Sequence, residues 1–140
     1  MSAEALRCFR EAKSNLAAVT AALGSANSAR DLPYRHFRSA HELAIRAVIA
    51  AKGGSPSEEK HKLVSLCESI GLWPVMPPKF KEHLIAVDCI EPDPGAAGRG
   101  AEASLEQWQE RLQVAPKFLF FIENHVVLNP QILSSLTVSS

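Results

Sequence analysis

The 140-residue chain carries 15 basic and 15 acidic residues, a formal net charge of zero, with 46% hydrophobic and 21% charged residues. Those totals are those of an ordinary globular protein and argue against a strongly electrostatic polyanion binder, so strong DNA binding is not expected. The length suits one domain, residues 1–140, around a single core. No apolar run approaches the roughly 20 residues that span a bilayer. Cys8, Cys67 and Cys89 form no CxxC pair, and the N-terminal segment is charged throughout. The expectation is a reduced cytoplasmic protein with all three thiols acting as small buried hydrophobes.

The first predicted helix covers residues 3–23, where Ala5, Phe9, Ala12, Leu16, Val19 and Leu23 recur at three- and four-residue steps. Gly24 stands where a helix-ending glycine is expected. The second, Tyr34 to Lys52, follows Pro33 and ends at Gly53–Gly54. Phe37, Ala40, His41, Ala44, Ala47 and Val48 share one face of it, and Ile45 and Ile49 widen the apolar arc beyond what one partner helix covers. This helix is therefore expected to be central. Ser55, Pro56 and Glu58 form a capping-box signal for a third helix whose buried side is Leu63, Leu66, Cys67 and Ile70, ending at Gly71. A proline-rich connector with Trp73 and Met76 leads to a fourth helix over about residues 78–88, presenting Phe80, Leu84 and Val87.

Residues 91–103, with two prolines and three glycines, read as a flexible loop inside one domain. Ser104 and Gln107 open the last long helix, whose stripe is Trp108, Leu112, Ala115, Leu119, Ile122 and Val126. Pro116 lies within that pattern and predicts a kink one turn earlier. The tail from about 129 to 140 is expected to be loosely held. Sustained period-two alternation is absent, so the fold class is all-α, an antiparallel up-and-down bundle of four to five helices.

Among chemistry-bearing residues, Arg35, Arg38 and Arg46 form the densest basic group, beside His36 and His41. A guanidinium matches two phosphate oxygens, which makes these arginines candidate phosphate ligands; the alternative is a solvated face neutralised by Glu42. His61 and Lys62, near a helix start, are a second candidate anion contact or else exposed polar residues. His41 lies in the apolar arc and reads as a hydrogen-bonded core or interface histidine. His83 and His125 are isolated, and no metal-ligand spacing, phosphate-cradling glycine loop or complete catalytic constellation is present. No metal or cofactor is expected. His41, Ile45, Ile49, Phe118 and Phe121, with Phe120, Val127 and Leu128, supply more apolar surface than one-sided helices need. Either they make a thick monomer core or they form a contact with a second copy; the homodimer is the expectation.

The segments ALRCFREAKSNLAAVTAAL, FRSAHELAIRAVIAAKG and HKLVSLCESIGL, in that order, resemble the first three helices of the HEPN domain family, helical modules associated with nucleotides and RNA. The resemblance covers Ala3 to Leu84. It implies a compact helical bundle that often dimerises and that occurs as metal-independent ribonucleases, as inactive partners of nucleotidyltransferases, or as nucleotide-binding and docking domains. Active members carry Arg followed after four to six residues by His late in the fold. Here the first late arginine, Arg99, is far from His125, and the spacing occurs only early, as Arg30–His36 and Arg35–His41. The implied function is a non-catalytic, homodimeric module, not an enzyme, that binds nucleotide or assists a nucleotide- or RNA-handling partner such as a nucleotidyltransferase. The alternatives are a protein-interaction or scaffold domain using the aromatic last helix, and a metal-independent ribonuclease using an early Arg/His pair.

Overall fold

The computed structural model describes residues 1–27, 32–54, 62–89 and 104–137. Every regular element among them is helical: α1 (Ala3–Ser25), α2 (Tyr34–Ala51), α3 (Leu63–Ser69), a 3-10 turn (Trp73–Val75), α4 (Pro78–Asp88), α5 (Leu105–Phe120), a π turn (Phe121–Val127) and α6 (Pro130–Ser135). The fold is an all-α bundle, as the periodicities require. Among the described residues, no helix is long and apolar enough to cross a membrane.

Helix α2 is central, and its sequence explains why. Nine of its 18 residues are buried, including Ile45 and Ile49 outside the main stripe. A helix apolar over so much of its circumference must be covered from several sides, and α2 packs on α1, α3, α5 and the π turn. The broadest helix–helix contact is with α1, whose stripe Ala5, Phe9, Ala12, Leu16 and Val19 is buried along its length. Alanines at 40, 44 and 47 of α2 and at 5 and 12 of α1 are fully covered, and side chains this small let the two backbones approach. Helix α1 runs one residue past Gly24, to Ser25, so that glycine does not end it. Gly53 and Gly71, with φ of +81° and +76°, do stand at helix ends in the left-handed region that glycine enters without strain.

The start of α3 departs from expectation. The Ser55–Glu58 capping signal lies outside the described residues, and Lys62 is extended, so this helix begins at Leu63. Its first amides find their acceptor far away in the chain: Leu63 N donates to Asp88 Oδ1 at 2.7 Å and Val64 N to Asp88 Oδ2 at 3.0 Å. A carboxylate at the end of α4 thus caps α3 and ties the two helices together.

The last long helix starts at the expected capping box of Ser104 and Gln107 and runs through Pro116 to Phe120. From Phe121 to Val127 the hydrogen bonding loosens to π geometry, with Leu128 N donating to Glu123 O, five residues back, at 2.9 Å. Such π turns are uncommon and concentrate at functional sites. Lys13 reaches Glu123 at 3.1 Å and holds this turn to α1. The tail is not loose as far as residue 137. The Asn129 side chain accepts from Gln131 N and Ile132 N to cap α6, Leu136 is buried, and Thr137 N donates to Ile70 O at 3.0 Å. Residues 91–103, expected to be a flexible loop, lie outside the described residues.

Candidate functional site

Three groups of side chains carry the chemistry of this molecule: a buried histidine pair, an arginine ladder, and an open aromatic groove.

His41 is fully buried, where α2 meets α4 and α5. Its Nδ1 is 2.8 Å from Phe37 O one turn earlier, and a carbonyl can only accept, so that nitrogen carries the proton. The remaining Nε2 lone pair then accepts from His83 Nε2–H of α4, also at 2.8 Å. Both rings are neutral. Burial, then the neighbouring His83, and lastly Arg38 push His41 down to about 3, against the raising effect of the Phe37 carbonyl. Burial and then Arg111 push His83 down to about 4. Aromatic rings close the pair in: Phe37 stands edge-on to His41 at 4.8 Å, and Phe118 stacks on it at 5.5 Å. Trp108 backs Phe37 at 4.9 Å, with Tyr34 and Arg111 on its own faces.

This arrangement corrects the expected partner surface. His41, Ile45, Ile49, Phe118 and Val127 are buried within the single chain, and Phe121 is half-covered. The apolar surplus mostly fills a thick core, because α2 is enclosed on several sides at once. An Arg35–His41 pair cannot converge on a phosphate, since both nitrogens of His41 are engaged inside the core. Among the described residues, no cluster of three or more potential metal ligands occurs; hydrogen bonding accounts for the histidine pair.

The expected phosphate ligands are placed as follows. Arg38 and Arg46 straddle Glu42 at 3.6 and 3.4 Å, their side chains only 17% and 30% exposed, so one carboxylate sits between two guanidiniums. Arg35 and His36 are on the exposed side of α2. His61 lies outside the described residues. Lys62 is exposed, but the α3 amides beside it are already occupied by Asp88, so that helix start offers no open anion site. Of the three thiols, Cys8 and Cys67 are buried, with burial pushing Cys67 up to about 12, whereas Cys89 at the end of α4 is exposed and not the buried residue expected.

The open site falls on the aromatic last helix, the contact surface of the scaffold alternative, and α4 supplies its other wall. Between the start of α4 and the end of α5 lies a groove of about 550 Å³. Phe80, Phe120 and Phe121 with Pro77 and Pro116 make its apolar walls, and Lys79, Lys117 and His125 stand along it. Phe120 is 60% exposed, the most exposed large hydrophobic residue described. A second hollow of about 370 Å³ continues the groove past Phe121 and His125, which both share, toward Val75, Asn129 and Ile132. His125, five and four residues on within the π turn, stands beside Phe120 and Phe121, with ring centroids at 6.1 and 5.9 Å. Lys79 lies over the Phe80 ring at 4.9 Å. Among the described residues, neither lysine has a carboxylate partner, in contrast to Arg7, Lys13, Arg38 and Arg46.

Comparison of the chain with protein-family models, with curated proteins and with solved structures found no match. The resemblance to HEPN domains therefore rests on the three quoted segments and their order.

Proposed function

We propose that this chain is a non-catalytic, HEPN-like interaction module whose working surface is the groove between α4, α5 and the π turn. The observation that carries this reading is the exposed Phe120 in an aromatic, proline-walled groove whose two lysines form no ion pair among the described residues. Phe120 is not a lone exposed ring but part of a contiguous apolar groove, and such grooves mark contact surfaces. The buried histidine pair, sealed from substrate, supports a structural role for the most enzyme-like residues of the sequence. Affinity capture with the wild-type and Phe120→Asp proteins tests this. A partner retained by the first and lost by the second is expected; partners indifferent to Phe120 would remove this surface from consideration.

Nucleotide binding is the second reading, supported by Lys79 and Lys117 beside aromatic rings that suit a base. The arginine ladder offers it less, because Glu42 already neutralises part of that charge. Titration of ATP, GTP and short RNA at two salt concentrations, with Lys117→Ala and Arg38→Ala alongside, separates the two seats. Light scattering addresses self-association.

A further inference from the structure

We infer that the groove accepts an acidic amphipathic helix from a heterologous protein, with its carboxylates placed at the Lys79–Lys117 end. This rests on the interaction-module reading and specifies its partner. The charge argument comes first. Lys79, Lys117 and His125 line the groove, no aspartate or glutamate does, and neither lysine is paired within the described residues. A ligand bringing carboxylates there forms new ion pairs without breaking old ones.

The same charges argue against a second copy seated symmetrically on this face. A two-fold contact places a patch against itself, and would set the lysines of one copy against those of its twin.

The form of the ligand follows from what the walls lack. No strand is present among the described residues, so no sheet edge can bond an extended peptide. The apolar walls are Phe and Pro, and the only side-chain N–H donors on the lining of the larger hollow, Lys79, Lys117 and His125, suit carboxylates rather than the spaced carbonyls of a polyproline-type ligand. A peptide lying in such a groove must satisfy its own backbone, which a helix does. The groove also has a helical repeat: Lys117, Phe121 and His125 succeed one another at four-residue steps. Pro116 to His125 makes roughly two to three helical turns, and Asn129 and Ile132 extend the lining beyond. A partner helix of roughly three turns matches that length. The polarity is also defined, because the lysines lie in the larger hollow and the smaller one adds Val75 and Ile132. Apolar anchors at i, i+3/i+4 and i+7 would fill the hollows, with acids confined to one end.

The test uses the full chain and three fluorescent peptides of about 14 residues, long enough for the roughly three turns in the groove with a frayed residue or two at each end. All share one leucine stripe; one carries glutamates at one end, one carries them at the opposite end, and one replaces them with lysines. Expected is preferential binding of one acidic peptide, weakened at least about tenfold by Phe120→Ala and by Lys79→Ala/Lys117→Ala, a loss of about 1.4 kcal/mol. Raised salt weakens it further. Variants are compared only where their dichroism and elution match the wild type, and the single Lys117→Glu change at an exposed position serves if the double variant does not fold. Equal binding of the lysine peptide, or insensitivity to Phe120, overturns the inference. So does displacement of no peptide but tight binding of ATP, RNA or phosphatidylserine vesicles at the same lysines. A Phe120-dependent captured protein combined with no peptide binding leaves the interaction module standing and removes the acidic helix.

Discussion

Two aromatic clusters of this protein share a wall at Phe80, which meets Phe118 at 5.9 Å on one side and Phe121 at 5.3 Å on the other. On the inner side Phe37, Trp108 and Phe118 enclose two histidines; on the outer side Phe120 and Phe121 flank His125 and two lysines. The residue types are nearly the same, and the environments are opposite. Inside, the polar atoms bond to one another and the rings are covered, so the cluster is a stabilising device. Outside, the rings are open and the lysines form no ion pair among the described residues, which is what a binding surface needs. Chemical composition alone does not separate a core from a site; the number of sides covered does.

The largest effect should come from opening the sealed cluster. Trp108 is fully buried between Tyr34, Phe37 and Arg111, and Trp108→Ala is expected to cost about 3–5 kcal/mol. A urea midpoint barely moved would show that this side is not sealed. Acid titration should come next. Both buried histidines are held neutral, down to about 3 and about 4 against a reference of 6.5. The unfolded chain takes up protons below 6.5 and the folded chain does not until far lower, so stability is full above that value and falls as the pH drops below it. Each histidine contributes up to about 1.4 kcal/mol per pH unit within that window. Unfolding measured from pH 7 to 5 should show this slope, and a His41→Leu/His83→Leu protein should flatten it; an unchanged slope in the double variant would contradict the buried pairing.

A smaller loss is expected where the end of α4 is tied to the start of α3. Asp88→Ala removes the acceptor for two α3 amides and should cost roughly 0.5–2 kcal/mol, the range for helix caps, visible as faster hydrogen exchange at Val64. The smallest change in stability belongs to the open cluster: Phe120→Ser should shift unfolding by no more than about 0.5 kcal/mol. Stability loss comparable to Trp108→Ala would mean that Phe120 is a core residue, and the contrast between the two clusters would vanish.

Much of the bundle was legible because helices advertise their buried faces. The stripe from Trp108 to Val126 and the extra arc of Ile45 and Ile49 on α2 name residues that are covered in the structure. The histidine pair was half legible. His41 stood in an apolar stripe, and His83 occupies the stripe of Phe80, Leu84 and Val87, a position that signals a buried partner; nothing in the order of residues says that each is the other's partner, 42 positions apart. Asp88 as the cap of α3 was hidden for the same reason, its contacts being 24 and 25 residues distant. Phe118, Phe120 and Phe121 looked alike, since three phenylalanines within four residues cannot all share one face. Which one stays in water was settled by the α-to-π transition at Phe121 and by the placement of α4.

The sequence by itself determined that this chain is helical, where its helices turn their apolar faces, and that α2 lies at the centre, because periodicity of 3.6 residues and glycine or proline punctuation are local properties of the chain. Tertiary structure alone decided that two histidines hydrogen-bond to each other in the core, that Asp88 caps α3, and that a groove opens between Lys79 and Lys117. Those outcomes depend on which side chains from distant helices meet and which are left uncovered, and burial and pairing are properties of the packed molecule.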